Sequence, residues 1–597
     1  MTYQPQLNDL RYTLNDIAGF DTLVSGGLFP ELDRELVDAV LEEAGKFAAE
    51  IIAPINKPGD EEGCTYDPET GDVTTAPGWK DVYAQWVEAG WGALPCSAEF
   101  GGQGLPTSMG LAVQELWNTA ANAYGIGTLL TQGAVNTIIA HGADALKQTY
   151  LPRMVTGEWT GTMNLTEPQA GSDLGALRSK AERQGDGSYK IAGTKIYITH
   201  GEHDLTENII HLVLARLPDA PAGTRGISLF LVPKFLVNDD GSLGERNDVK
   251  CAGLEEKLGI HGSPTAVMKY GENGGATGWL IGEENRGLNC MFTMMNHARL
   301  NVGMQGVAIA ERAFQHALGY AQERRQGSRP GAEGMVPIIE HPDVRRMLMD
   351  MKTKTAAARA ICYASANTLD VSEFGQDEAE REQAELNAAL LTPVAKAFGT
   401  EMGVEVASLG IQVFGGMGFI EETGAAQHLR DARITPIYEG TNGIQAIDLA
   451  TRKLPLENGG AVRALIDGFK QIADDVMASN DERFGRTGYR LTAAIEELED
   501  ATEWMLDTLG ENMDGVLSSA TPYCRLMGLT AGGCWLAKGA LAASQRQENG
   551  NAGADANRIL EARYYAENHL PEARGLSSVV RGSADAFTLA TPEAIAH

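Results

Sequence analysis

The chain has little positive charge. It carries 48 lysines and arginines against 80 aspartates and glutamates, a formal net charge of -32 over 597 residues. Nucleic acid and anionic membrane surfaces both attract lysine and arginine, so this balance excludes them as expected partners. A small cationic pocket for an anionic ligand remains compatible with the same total.

Cysteine is also scarce, and no cysteines are paired in motifs. A CxxC pair is lacking, and no histidine spacing is typical of zinc, so we expect reduced thiols and no metal site. The first residues, MTYQPQLNDLRYTL, lack the basic start and apolar run of a signal peptide, and no long uncharged apolar stretch could span a bilayer. The expected location is the cytoplasm, without a transmembrane segment. The seven cysteines are Cys64, Cys96, Cys251, Cys290, Cys362, Cys524 and Cys534.

Two nucleotide-binding signatures are missing as well. No GxGxxG follows a strand pattern, and no Walker A sequence is present. Neither a Rossmann dinucleotide site nor a P-loop is therefore predicted.

Hydrophobic periodicity divides the chain into a helical, a β, and two further helical parts. Apolar residues recur at helical spacing from Glu31 to Ile55 and again in 79–89, 108–121 and 133–150. From about Gly157 to Ile281 the pattern alternates at period two, as in an antiparallel sheet or barrel. Helical spacing returns in 288–325, 344–371 and 378–409, and it continues beyond the turn-rich LPLENGG. The predicted class is α+β and mostly helical, with an N-terminal extension at 1–34 and domains at 35–157, 158–283, 284–455 and 456–597.

The segment 436–448, PIYEGTNGIQAID, places one carboxylate, Glu439, between an aromatic residue and a glycine. Its glycines permit backbone conformations that most residues avoid, so the loop could approach a ligand closely. Ile437 and Tyr438 would desolvate the carboxylate and raise its pKa, as proton abstraction beside a carbonyl requires. An exposed acid in a turn has the same pattern. Both interpretations stay open on the residues alone.

Two other segments carry polar side chains suited to a flat ligand. The run MNLTEPQAGSDLGAL, residues 163–177, offers Thr166 and Ser172. In KIYITHG, strand alternation places Tyr197 and Thr199 on one face, which suits one side of an isoalloxazine ring. A plain turn cluster and an ordinary half-buried strand would have the same sequences.

Taken together, five motifs resemble the acyl-CoA dehydrogenase family. TEPxAGSD, KIYITHG, YAQERRQ, QVFGGMGF and YEGTNGIQ occur in the order found in that family, over about residues 35–455. The longer amino terminus and the helical tail are similar to the extended bacterial branch of the family. The resemblance implies an N-terminal helical domain, a middle β domain, a four-helix bundle and an extra C-terminal helical domain.

The function implied by the resemblance is FAD-dependent α,β-dehydrogenation of an acyl-CoA thioester to the trans-2-enoyl-CoA. Glu439 matches the base that takes the α-proton while the β-hydride passes to flavin N5. The substrate implied is 3-methylmercaptopropionyl-CoA or a short- or medium-chain acyl-CoA. Electron-transferring flavoprotein is the expected acceptor and a homodimer the expected assembly, with a tetramer as the alternative. An acyl-CoA oxidase that reduces O2, or a non-dehydrogenase flavoprotein on the same scaffold, is the competing function.

The resemblance also assigns the remaining site residues. Some members carry the base at the position of Ala298, where alanine cannot serve. Arg324 and Gln326 match positions that reach the FAD of a neighbouring subunit. Gly443 stands where many members have a glutamine, so one FAD contact of the family is missing. Without the resemblance, ERRQ is a charged helix end, Arg299 a helix-surface or salt-bridging arginine, and the glycines of QVFGGMGF a structural turn. The matched FAD contacts are Thr166, Tyr197, Thr199, Arg324, Gln326, Gln412, Gly415, Gly416 and Thr441, and the matched acyl-CoA contacts are Ser172, Asn296, Arg299 and Gly440.

Overall fold

The computed structural model describes residues 3–29, 32–548, 554–582 and 584–596. Parts of the predicted N-terminal extension and of the predicted last domain lie outside these residues. The helices are α1 (Leu7–Tyr12), α2 (Phe20–Ser25), α3 (Arg34–Phe47), α4 (Asn56–Glu62), α5 (Trp79–Glu88), α6 (Thr107–Ala120), α7 (Asn122–His141), α8 (Asp144–Thr156), α9 (Gly287–Glu323), α10 (Pro342–Phe374), α11 (Glu378–Phe414), α12 (Ala425–Ala432), α13 (Asn442–Asp448), α14 (Gly460–Ala478), α15 (Thr487–Thr508), α16 (Met513–Glu548), α17 (Ala554–Asn568), α18 (Glu572–Gly582), α19 (Ala584–Leu589) and α20 (Pro592–Ala596). The strands are β1 (Thr65–Tyr66), β2 (Val73–Thr74), β3 (Trp159–Asn164), β4 (Lys180–Arg183), β5 (Tyr189–Thr199), β6 (Asn208–Ala215), β7 (Ser228–Pro233), β8 (Phe235–Val237), β9 (Leu243–Arg246), β10 (Val249–Leu254), β11 (Thr265–Tyr270) and β12 (Ala276–Ile281).

The chain divides into two compact units. The helical unit contains Met1–Gly45, Leu111–Thr119 and Arg299–His597, and the sheet unit contains Lys46–Gly110 and Ala120–Ala298. Each candidate site residue therefore belongs to one of these two units.

The sheet unit is built on eight strands. Seven follow the order β10-β11-β5-β12-β7-β6-β3, and β4 pairs with β5 outside this path. The pair β3 and β6 is parallel, and the other pairs are antiparallel. β-Branched and aromatic residues fill its core, among them Ile191, Ile198, Val213, Phe230 and Tyr270. The period-two pattern from about Gly157 to Ile281 thus predicted the sheet correctly.

The helical unit is organised around long helices. Helix α10 begins with Pro342 as its first residue, and Asp377 caps α11 by accepting the N–H of Glu380 at 2.9 Å. Both helices confirm the predicted periodic segments 344–371 and 378–409. Helices α14, α15, α17 and α18 all pack on α16, so the predicted helical tail is also confirmed.

Two periodic segments were predicted as continuous helices and are not. Residues 133–150 fall across α7 and α8, because Gly142 adopts an extended conformation with φ -72° and ψ 146°. The predicted helix from Glu31 to Ile55 begins outside the described residues. Its described part is α-helical only from Arg34 to Phe47, and it continues as a π turn and then a 3₁₀ turn that contains Pro54. Proline lacks the N–H that an α-helix needs at that point.

The N-terminal segment, residues 7–25, packs on α10 and α16 within the helical unit. The ammonium of Lys538 donates to the C=O of Ile17 over 2.8 Å, and Arg546 pairs with Asp16 at 2.6 Å. Arg558 pairs with Asp9. The four most deeply buried apolar residues of the segment are Leu10, Leu14, Ile17 and Phe20, each 1% exposed.

One helical stretch in the described part of the chain, Glu378–Phe419, has the length and apolar composition of a membrane span. Core helices of globular proteins share both properties. Most of its middle, from Leu390 to Gly403, is buried among the other helices of the unit.

Candidate active site

Glu439 lies in the loop between α12 and α13, and its backbone is left-handed. Glu439 has φ 56° and Gly440 has φ 83°, a region that side chains rarely adopt. A Cβ atom at residue 440 would lie 2.7 Å from Nε2 of Gln445, so glycine is required there. The same Nε2 donates to the C=O of Glu439 over 3.1 Å. Thr441 caps α13 by accepting the N–H of Ile444 at 3.2 Å, and these contacts fix the backbone conformation of Glu439.

Two amide groups of this loop carry no internal hydrogen bond. Within the described ranges, neither the Glu439 N–H nor the Gly440 N–H donates to an acceptor. Successive N–H groups in such a conformation form a concavity that binds anionic oxygen. These donors suit a ligand oxygen that gains negative charge.

The Glu439 carboxylate is partly buried and has cationic neighbours. Burial raises the pKa of Glu439 to about 7, and the Arg299 guanidinium and the Lys396 ammonium oppose this rise. Of the two neighbours expected to desolvate the carboxylate, Tyr438 is partly buried but Ile437 is 50% exposed. The interpretation as an exposed turn acid is wrong, because Glu439 is not exposed in the folded unit.

Arg299 is a buried cation with acidic neighbours. It is 8% exposed, and its Nη1 lies 3.6 Å from Oδ2 of Asp448, which also pairs with Arg452 at 3.5 Å. The salt-bridge interpretation of this arginine therefore describes its contacts. In the sheet unit, Asn296 is exposed, whereas Ala298, the position of the alternative base, is buried.

Sequence reasoning missed Lys396 and Asn442. Lys396 is fully buried on α11, and its ammonium donates to Oδ1 of Asn442 over 2.9 Å. The signal was present, because this lysine interrupts the apolar run AALLTPVAKAFG, where a charge is otherwise unexpected.

The glycine turn after α11 is exposed. Gln412, Gly415 and Gly416 lie on the surface of the helical unit, and Gly415 ends α11 with φ 61°. A Cβ at either glycine would meet nothing within 4 Å. Because Phe419 beside them is 87% exposed, this surface presents bare backbone next to an apolar side chain.

The ERRQ motif is not a simple helix end. Helix α9 stops at Glu323, and the backbone then pairs with a returning segment, since the N–H of Gln326 donates to the C=O of Val336 over 3.0 Å. Arg324 and Gln326 are both exposed. The short pairing presents their side chains at the surface of the unit.

The TEPQAGSD segment is a turn held by a buried ion pair. Glu167 pairs with Lys195 at 2.9 Å and accepts the hydroxyl of Ser179 at 2.7 Å. Burial opposes ionisation of Glu167, yet Lys195 and these hydrogen bonds lower its pKa to about 2. Neither residue of the pair was predicted. The turn leaves Ser172 exposed and Thr166 partly exposed.

The alternation predicted for KIYITHG is wrong at Tyr197. The pairing of β5 with β11 shifts by one residue there, and Tyr197 has φ 60°. This bulge leaves Lys195 and Ile198 buried and turns the Tyr197 ring outward, 60% exposed. Thr199 is partly exposed, and the Thr166 C=O accepts the N–H of Ile196 at 3.0 Å, which joins the turn to the strand.

These surfaces fit FAD. In the sheet unit, the Tyr197 ring points outward from the strained bulge in β5, and this strand is hydrogen-bonded to the turn that contains Thr166. An exposed aromatic side chain of this kind provides a surface on which a flat heteroaromatic ring can pack. In the helical unit, the open glycines 415 and 416 allow close backbone approach, and the exposed Arg324 guanidinium suits a pyrophosphate.

Four family models match successive parts of the chain. They are "Acyl-CoA dehydrogenase, N-terminal domain" at 35–158, "Acyl-CoA dehydrogenase, middle domain" at 162–271, "Acyl-CoA dehydrogenase, C-terminal domain" at 285–454 and "Acetyl-CoA dehydrogenase C-terminal like" at 465–590.

Two curated relatives span nearly the whole chain. A 3-methylmercaptopropionyl-CoA dehydrogenase from Ruegeria pomeroyi is 45% identical over 99% of this chain and 100% of its own length. A butyryl-CoA dehydrogenase from Syntrophomonas wolfei is 34% identical over 99% of this chain and 98% of its own.

Solved structures share the fold. Caenorhabditis elegans ACDH-11 in complex with C11-CoA gives a TM-score of 0.76 at 22% identity, over 96% of this chain and 93% of that one. An acyl-CoA dehydrogenase from Bacillus anthracis complexed with FAD gives 0.73 at 20% identity, over 92% and 89%. With the full-length relatives, these findings show that the chain belongs to the acyl-CoA dehydrogenase family of FAD-dependent oxidoreductases.

Proposed function

We propose that this protein dehydrogenates 3-methylmercaptopropionyl-CoA to its trans-2-enoyl thioester, with Glu439 as the catalytic base. The observation that carries the proposal is a partly buried carboxylate with a pKa of about 7 on a loop with two unpaired N–H groups. A base whose pKa lies near the working pH is suited to removing a weakly acidic α-proton. The full-length 45% identity to the Ruegeria enzyme supports this thioester as the first substrate to test.

In the proposed mechanism Glu439 and its loop do the proton chemistry. The carboxylate takes the proton from the α-carbon, while the N–H groups of Glu439 and Gly440 donate to the thioester oxygen and stabilise its developing charge. FAD, held by the contacts proposed below, would supply the acceptor for the β-hydrogen, so that the two hydrogens would leave as a proton and a hydride. The Arg299 guanidinium favours the ionised form of the base.

The remaining site residues divide between cofactor and substrate. Arg299, matched to an acyl-CoA contact, acts here through its charge, because it is buried in an ion pair with Asp448. We keep Ser172, Asn296 and Gly440 as acyl-CoA contacts. The proposed FAD contacts are Thr166, Tyr197, Thr199, Arg324, Gln326, Gln412, Gly415, Gly416 and Thr441.

The proposed setting is a cytoplasmic homodimer that reduces electron-transferring flavoprotein. Seven free thiols and a net charge of -32 support the cytoplasm. Exposed Met417, Phe419 and Ile420 beside the QVFGG turn support a covered surface in an oligomer.

The test is an anaerobic titration of the FAD-loaded protein with 3-methylmercaptopropionyl-, butyryl-, octanoyl- and palmitoyl-CoA, followed by flavin absorbance. We expect bleaching by 3-methylmercaptopropionyl-CoA at the lowest concentration. Bleaching by another thioester alone would contradict 3-methylmercaptopropionyl-CoA as the substrate, and no bleaching by any thioester would contradict the dehydrogenase function. Peroxide formed in air at the rate of turnover would instead indicate the oxidase.

A further inference from the structure

Lys396 is a buried cation for which the proposed mechanism has no role. Its side chain is fully buried on α11. Placing an ammonium group in the interior is unfavourable unless hydrogen bonds and charges compensate it. Its contacts therefore indicate what this lysine does.

The ammonium of Lys396 holds the start of α13 through Asn442. Oδ1 of Asn442 accepts from Nζ of Lys396 at 2.9 Å, and its Nδ2 donates to the C=O of Ala397 over 3.1 Å. The Thr400 hydroxyl lies 3.1 Å from the same Oδ1, but it donates over 2.8 Å to the C=O of Lys396, as helical threonines commonly do. Lys396 is therefore the donor that Oδ1 of Asn442 retains. Asn442 follows Glu439 by three residues, so α11 holds the base loop directly.

Charged groups from several elements face Lys396. Glu439 comes from the base loop, Arg299 from α9 and Glu401 from α11 itself. The Glu401 carboxylate lies 3.5 Å from Nη1 of Arg525 on α16, and this arginine also pairs with Glu405 at 2.7 Å and with Glu572 at 3.0 Å.

These neighbours decide the charge of Lys396. Burial lowers the pKa of Lys396 to about 7, Glu439 raises it, and Arg299 lowers it. Glu401 raises the pKa of Lys396 less than Glu439 does, so Glu439 is the anion that gains most from a protonated Lys396. Electrostatic coupling between two groups is reciprocal, so the ammonium also favours the ionised base.

We infer that Lys396 is a positioning residue of the proposed dehydrogenase: its ammonium anchors the base loop through Asn442 and supplies a cationic neighbour that keeps Glu439 ionised. The inference rests on the proposed function. It assigns Lys396 two separable effects, an anchor and a charge.

Three variants separate these effects. K396M removes both, K396R keeps the charge, and N442S shortens the acceptor while keeping the lysine. K470M is the control, because Lys470 lies on α14 of the same unit and pairs with Glu499 at 2.7 Å, which is not among the groups that face Lys396. The readout is the rate of flavin bleaching by thioester as a function of pH, in protein checked for FAD content.

In K396M the acid limb of the rate profile is expected to move to higher pH by about one unit, because loss of a nearby positive charge makes the carboxylate easier to protonate. K396R is expected to keep the wild-type limb. N442S is expected to bleach about tenfold more slowly with its limb unmoved, because only the position of the base is disturbed. K470M is expected to match the wild type.

A second readout does not require turnover. The carboxyl infrared band of Glu439, identified by its loss in E439Q, is titrated against pH in each variant. If K396M keeps the acid limb and the infrared band of the wild type, the proposed charge effect of Lys396 is wrong. If N442S bleaches at the wild-type rate, the proposed anchoring effect is wrong. If K396M fails to fold, K396Q takes its place, because its amide keeps an N–H donor for Asn442 and removes the charge, and the same shift of the limb is expected. If no thioester bleaches the wild type, the proposed function fails while the infrared titration still tests Lys396.

Discussion

At the scale of single residues, the environment of Glu439 matters more than its place in a loop. Partial burial makes its carboxylate hard to ionise, and Arg299 and Lys396 compensate incompletely, so its pKa lies near 7. A fully exposed glutamate would be a base too weak for an α-proton, and an isolated buried one would remain protonated.

Replacing the base is the most direct test at this scale. In E439Q an amide cannot accept the α-proton, so the rate of flavin bleaching should fall by about 10³-fold or more, while FAD and acyl-CoA still bind. E422Q is the control, because Glu422 is an exposed glutamate on a neighbouring turn. Bleaching by E439Q at the rate of E422Q would show that the base lies elsewhere.

The pH profile follows from the same carboxylate. The pKa of Glu439 is raised to about 7, so the base is protonated and inactive below that pH and ionised above it. We expect kcat/KM to fall about tenfold per pH unit on the acid side of a midpoint near pH 7. A profile that stays flat down to pH 5 would contradict this. Thermal unfolding measured at each pH separates loss of the base from loss of the fold.

At the scale of elements, the loop between α12 and α13 depends on one glycine. Gly440 is left-handed and has Gln445 against the position of a Cβ, whereas a Cβ at Gly443 would meet only Oγ1 of Thr441 at 3.7 Å.

G440A and G443A form a matched pair. We expect G440A to destabilise the loop by about 1–2 kcal/mol and to slow bleaching at least tenfold, because the strain displaces the Glu439 carboxylate. G443A should bleach at close to the wild-type rate. Equal rates in the two variants would show that the left-handed conformation is not required.

The elements also show what the sequence could predict. Long helices such as α10 and α11, and the β region, were predicted from the spacing of their apolar residues, because those residues recur on the face of each helix or strand that packs against the core. Glu439 was found because an acid between an aromatic residue and a glycine is a local pattern. The bulge at Tyr197 and the anchor at Lys396 depend on strand register and on burial. Those are set by residues distant in the chain, such as Val267 and Asn442, and no local pattern encodes them.

At the scale of the whole molecule, the extra segments at both ends of the family fold meet in the helical unit. Residues 7–25 bury four large apolar side chains against helices that include α16, and ion pairs surround them. This contact joins parts of the chain that are more than 500 residues apart, as Lys538 and Ile17 illustrate.

Deleting the residues up to Ser25 tests the contribution of this segment. Loss of four buried side chains should lower the free energy of unfolding of the helical unit by about 6 kcal/mol and reduce its unfolding temperature. Deletion from Thr591 onward is the control, because the described residues there are exposed. Equal unfolding temperatures for the two truncated proteins would show that the N-terminal segment adds no stability.

The distance along the chain between residues 7–25 and α16 has a consequence during synthesis. Residues 7–25 leave the ribosome well before α16, the later of their two docking partners, which is complete only after Glu548. At ~5–20 residues per second, Leu10, Leu14, Ile17 and Phe20 wait about 25–100 s for the packing surface that α16 provides. Nascent chains of this protein therefore expose an apolar segment for most of their synthesis, and chaperones that bind such segments should find it there.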